Sequence, residues 1–201
     1  MNTATQTIEL KRGRNSEALQ PGYFARRNVW DWLFAALVLV GTAWAFMRYG
    51  DAMDIYEKWI LAGTAPTLIW LGWFWRPLRP LMGVVAALSL LAIWLYQTPA
   101  GNADLARADQ AFMLKYFLSS QSAILWMSVL FFMSTLFYWA GMFSRDGQTF
   151  EGLGSRLAWV AVTLALVGTM VRWYESHQIG PGIGHIPVSN LYEVFILFCW
   201  M

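Results

Sequence analysis

Residues 29–47 read VWDWLFAALVLVGTAWAFM. The stretch carries one charge, Asp31, and that charge falls in its first turn. A helix needs about 20 mostly apolar residues to cross about 30 Å of hydrocarbon. This stretch meets that length as a first span. Four others meet it or come close: Lys58 to Trp75, with Pro66 near its middle, Leu81 to Tyr96, Ser122 to Phe143, and Leu157 to Val171. The third and fifth need their aromatic ends to reach the membrane interfaces. A sixth run, SNLYEVFILFCWM from Ser189 to Met201, is too short to span. A span cut in mid-membrane leaves its last carbonyls unsatisfied in hydrocarbon. The expected fold is therefore all-α: a polytopic transmembrane helical bundle of about five complete spans plus a truncated sixth. The 201 residues are expected to be the N-terminal part of something longer.

Composition agrees with the spans. Hydrophobic residues make up 58% and charged residues 13%, against about 45–50% and about 25% in soluble domains. Mean hydropathy is +0.43. A chain with 13 Trp, 13 Phe and 10 Met and so few charges cannot build a water-facing surface. Soluble enzyme classes are excluded. The net charge of +2, with no basic stripe interleaved with aromatics, argues against nucleic-acid binding. The single cysteine, Cys199, excludes an internal disulfide framework and any Cys-rich metal site. No metal site is expected. Cys199 reads as a small buried apolar residue.

Residues 1–28 form a polar tail carrying Lys11, Arg12, Arg14, Arg26 and Arg27. No apolar core of a cleaved signal lies in it, so the first span reads as an uncleaved anchor. Placing the tail in the cytoplasm puts nine Lys and Arg inside and five outside. Without the tail the count is four against five, so the orientation rests on the tail. The expected location is a bacterial cytoplasmic (inner) membrane, multi-pass, with the N-terminus in the cytoplasm. Asp31 lies near Arg27 and reads as paired with it or hydrated.

The loops divide residues 29–171 into five helices with short connections. Arg76-Pro77-Leu78-Arg79-Pro80 is a tight hairpin whose prolines mark a helix stop and a helix start. Residues 144–155, with glycines around Glu151, read as a flexible turn. Residues 103–118 read as a surface helix, with Leu105, Phe112, Tyr116 and Phe117 touching the interface. Most tryptophans fall near span ends, where an interfacial belt explains them. No internal repeat and no second domain shows.

Residues 172–201 carry the most information, as an outward-facing loop followed by the start of the sixth helix. Arg172 to Pro187 reads RWYESHQIGPGIGHIP and runs into SNLYEVF. Both histidines of the chain, His177 and His185, are here. Gly180, Gly182 and Gly184 around Pro181 allow a sharp turn. Ser189 or Asn190 would cap the sixth helix. Glu193 falls at about its third position, where it completes a capping box or pairs with Arg172; the two readings stand level.

Arg172-Trp173 followed by Gly184-His185-Ile186-Pro187-Val188-Ser189-Asn190-Leu191-Tyr192-Glu193 resembles the RW…GHxPxSNLYE stretch of the CcsA/ResC family, often labelled CcsB in bacteria. The resemblance covers residues 172–201. It implies the System II pathway of cytochrome c maturation. Family members bring haem to the outer face and present it to apocytochrome c for thioether attachment, acting as a haem lyase component with a ResB-type membrane partner. It makes His185, Asn190, Tyr192 and Glu193 the candidate cofactor-binding residues, with no catalytic residue assigned. For His185 a loop histidine bonded to backbone is preferred over a haem contact, and His177 is weaker still. The family's WGxxWxWD segment and iron-ligating histidines are absent up to Met201. The fragment alone is thus expected to be inactive. A small transporter or channel subunit is the alternative, drawn from Pro66 as a helix interruption and from the glycine-rich loop.

Overall fold

The computed structural model describes residues 27–51, 53–98, 102–144, 146–180, 184 and 191–200, the side chain of Trp200 aside. Every regular element among them is helical; the one β feature there is an isolated bridge between Gln97 and Ala103. The helices are α1 (Val29–Tyr49), α2 (Ile55–Phe74), α3 (Leu78–Tyr96), the short α4 (Arg107–Gln110), α5 (Ser120–Phe143), α6 (Gly147–Ile179) and α7 (Leu191–Trp200). A π-helical turn, Leu114–Leu118, precedes α5.

Among the described residues four helices are long and apolar enough to cross a membrane: α1, α3, α5 and α6. The expected count was five. The second span forms as α2, 20 residues long, but falls short of the hydropathy that the four others reach. Glu57 and Lys58 in its first turns, together with its glycines, threonines and Pro66, dilute it. α2 nevertheless runs through Pro66 without a break.

The surface fits lipid rather than water. Phe143, Met47 and Trp30 stand 84%, 80% and 70% exposed, among dozens of large apolar side chains along the helices. Soluble proteins do not leave contiguous apolar area on that scale. Hydroxyls on the exposed faces satisfy themselves. Ser128, Thr135 and Thr163 each donate to the carbonyl four residues back, at 3.0, 2.9 and 2.8 Å, so these three hydroxyl protons do not face hydrocarbon unpaired.

The chain divides into two compact units, Met1–Arg79 and Pro80–Met201. No linker composition marks that boundary, which falls inside the first turn of α3. In the first unit α1 and α2 pair antiparallel. Both helices begin with a reciprocal capping box, Asn28 with Asp31 and Asp54 with Glu57. Gly72 permits the close approach: a Cβ there would lie 2.8 Å from Cζ of Phe34. Asp31 is buried and its partner is Arg79, not Arg27. Arg27 instead donates to the Trp73 carbonyl at 2.8 Å.

In the second unit α5 and α6 form an antiparallel hairpin. Small or narrow buried residues recur every seven positions on both: Met127, Ser134 and Gly141 on α5, Gly154, Ala161 and Gly168 on α6. That period keeps one seam between two helices, and small side chains let the backbones approach. Ser134 Oγ donates to the Gly154 carbonyl at 2.8 Å. At one end of this hairpin Tyr96 and Ala92 of α3 pack with Leu114, Leu118, Val167 and Val171 as a buried cluster.

Four local expectations change. α6 has 33 residues, so the supposed turn up to Ser155 is helical from Gly147, and the supposed loop from Arg172 is helical to Ile179. The surface helix at 103–118 is a four-residue helix and a π-turn. Phe112, Tyr116 and Phe117 are exposed there as expected, but Leu105 packs on the buried cluster. Cys199 is exposed, because α7 turns a different face, that of Glu193 and Ile196, inward.

Candidate functional site

The site begins where α6 leaves its apolar stretch. Arg172 lies one position past Val171, the last buried valine of the core. Glu193 is the third residue of α7, as its spacing from Asn190 predicts. Its side chain is buried, and its Oε1 lies 3.6 Å from Nε of Arg172. That Nε is buried and makes no hydrogen bond among the described residues. The two ends of the RW…NLYE stretch therefore meet as an ion pair. Of the two readings for Glu193, the pairing with Arg172 is present, while the cap at Ser189 or Asn190 lies outside the described residues. A buried carboxylate in an apolar chain needs such a counter-charge.

Ile124, Thr169 and Ile196 complete a small cleft around the pair, with room for only about 10 Å³. Small-molecule sites usually run from about 300 to about 1,000 Å³. Tyr192 points away from the pair and is exposed. His185 and Asn190 lie outside the described residues. His177 is on the exposed side of α6, with Nδ1 3.0 Å from the Trp173 carbonyl. Gly184 lies against its imidazole: a Cβ on that glycine would sit 2.7 Å from Nε2. A larger residue at 184 would push the exposed ring aside.

A second group of polar residues lies further along α6. The Glu175 carboxylate accepts from Tyr96 Oη at 2.6 Å, from Ser120 Oγ at 2.5 Å and from Ser120 N at 3.1 Å. Tyr96 and Ser120 are both almost fully buried. The carboxylate thus ties the end of α3 and the start of α5 to α6, and its charge meets the positive end of α5. Sequence reasoning missed this cluster. The three residues are 24 and 55 positions apart along the chain, and the only local sign was an acid near a span end.

A haem needs an axial donor and room for a flat ring. Among the described residues the cleft is too small, its charges are spent on each other, and no three His, Cys, Asp or Glu side chains converge to hold a metal. These residues do not form a haem seat. They form a braced junction between two helices.

Fold and surface define the class: an all-α, multi-pass membrane protein, with four helices able to cross a bilayer among the described residues. Comparison with protein-family models, curated proteins and solved structures gives no match to the chain.

Proposed function

We propose that the chain serves cytochrome c maturation, as the N-terminal part of a System II protein of the CcsA/ResC type. In this reading it sits in a bacterial cytoplasmic membrane with its N-terminus inside. It helps hold the machinery that presents haem to apocytochrome c, together with a ResB-type partner. The observation that carries the reading is the meeting of the motif's two ends, Arg172 and Glu193. The pair supports the reading by holding the first and last charged positions of the stretch together. The braced junction supports a positioning role for residues 172–193. No step at the haem is assigned to them.

The transporter reading drew on an interrupted helix at Pro66 and on the glycine-rich loop; α2 is continuous at Pro66, and most of the loop lies outside the described residues. The test is genetic and spectroscopic. Disrupting the reading frame in its source organism is expected to abolish covalent haem on c-type cytochromes, read by haem-stained gels, while b-type haem proteins persist. The intact full-length frame restores the stain; Arg172→Gln restores it poorly. Normal c-type cytochromes after disruption would sink the proposal.

A further inference from the structure

The α1–α2 hairpin carries a polar cluster of its own. The α2 helix ends at Phe74 with its last carbonyls open, as helix C-termini do. Arg79 Nε donates to the Gly72 carbonyl at 2.8 Å while its Nη2 pairs with Asp31. Arg27 Nη1 donates to the Trp73 carbonyl, and its guanidinium carbon lies 5.3 Å from the Trp73 ring centre. Trp73 Nε1 in turn donates to the Asp31 carbonyl at 2.9 Å. Two arginines are thus held in fixed orientation by the helix end they cap.

A third, Arg76, stands in the turn after α2. It is exposed; its carbonyl accepts from Arg79 N at 3.2 Å, while its side chain makes no hydrogen bond or ion pair among the described residues. Across residues 27–34 and 70–79 the only acid is Asp31, already paired with Arg79. Arg76 therefore gives this end of the hairpin a positive charge beyond the Arg79–Asp31 pair. It is rimmed by exposed Trp30, Phe74 and Trp75. Indoles at the end of a membrane helix lie at headgroup depth, and a guanidinium fork matches two oxygens of a phosphate.

We infer that this turn binds the headgroup phosphate of an anionic phospholipid, with Arg76 making the contact and Arg27 and Arg79 completing a positive seat. The exposed aromatic rim favours a lipid over a free phosphate ion, which has no acyl chains to lay against it. The inference does not depend on the haem reading.

The experiment uses the purified full chain in detergent, with phosphatidylglycerol or phosphatidylcholine of matched acyl chains added. Lipid retention is read by native mass spectrometry and stability by thermal melting. Phosphatidylglycerol is expected to be retained in preference and to raise the melting temperature. A basic residue near a membrane surface contributes about a five-fold change in anionic-lipid affinity. Arg76→Gln should lower phosphatidylglycerol retention by about that factor, and Arg76→Lys should keep most of it. Arg48→Gln, at the opposite end of the hairpin, is the charge control and should leave retention unchanged. Circular dichroism confirms that each variant is helical. Equal retention of both lipids, or equal losses in the Arg76 and Arg48 variants, overturns the proposal. So does displacement of phosphatidylglycerol by millimolar inorganic phosphate, which would make the site one for free phosphate.

Discussion

Replacing Glu175 by alanine tests the second unit at its most connected point. The carboxylate accepts three hydrogen bonds, two from Ser120 and one from Tyr96. Hydrogen bonds to a charged group contribute about 1.5–3 kcal/mol each, and a buried donor left unsatisfied costs about 1–3 kcal/mol. Against this, the variant no longer has to keep a half-buried carboxylate from water. The hydroxyls of Tyr96 and Ser120 are nearly inaccessible, so solvent repays little of their loss. A net destabilisation of about 3 kcal/mol is expected. Tyr96→Phe removes one bond and leaves the carboxylate with the Ser120 pair, so it should cost about 1.5 kcal/mol. The two changes share one interaction, and the double variant should therefore fall short of their sum by about 1 kcal/mol. Glu175→Gln keeps an accepting oxygen but turns an amide toward donors, and should lose about half as much as alanine. Reversible unfolding in mixed micelles, followed by tryptophan fluorescence, measures all four. If Glu175→Ala lies within about 0.5 kcal/mol of the parent, or adds fully to Tyr96→Phe, the carboxylate does not hold these elements together.

Two further outcomes use the same assay. Asp31→Ala leaves Arg79 half-buried without its counter-charge and should destabilise by about 3–5 kcal/mol; if Asp31→Asn combined with Arg79→Gln is no better than either alone, the two do not act as a pair. Gly154 and Gly152 form a matched control: a Cβ on Gly154 would lie 3.2 Å from the Ser134 carbonyl and the Tyr138 ring, whereas one on Gly152 meets nothing within 4 Å. Gly154→Val should cost at least about 2 kcal/mol by forcing α5 and α6 apart, while Gly152→Ala should gain up to about 1 kcal/mol from helix propensity. Equal effects at the two glycines would refute the seam.

The spans were legible because hydrocarbon thickness acts on one helix at a time. Residues 29–47, 81–96 and 122–143 grew by two or three residues at one end in the structure. α6 was underestimated by far more. Gly152, Gly154, Glu151 and Arg156 look like a turn, yet backbone hydrogen bonds within a helix do not depend on side-chain polarity. The cost of Gly154 is offset by the approach it allows to Ser134. At about 1.5 Å per residue, a 33-residue helix reaches about 50 Å and so outruns the apolar core. Polar residues after Arg172 simply continue it.

Charge pairing divides along the same line. The sequence offered Asp31 a near neighbour, Arg27, and offered Glu193 both a cap and Arg172. Only the packed helices chose Arg79 for the first and Arg172 for the second. Glu175 with Tyr96 and Ser120 had no local signature, since each residue alone is ordinary at a span end. By itself the amino-acid sequence determined that this chain enters a membrane, where most helices run, and which stretch carries a family-like motif. Those properties depend on apolar length and residue order. The tertiary structure decided which small residues form a seam, how far α6 extends and which charges neutralise one another. Those depend on distances between residues far apart in the chain, and a buried charge takes the partner that packing brings within reach.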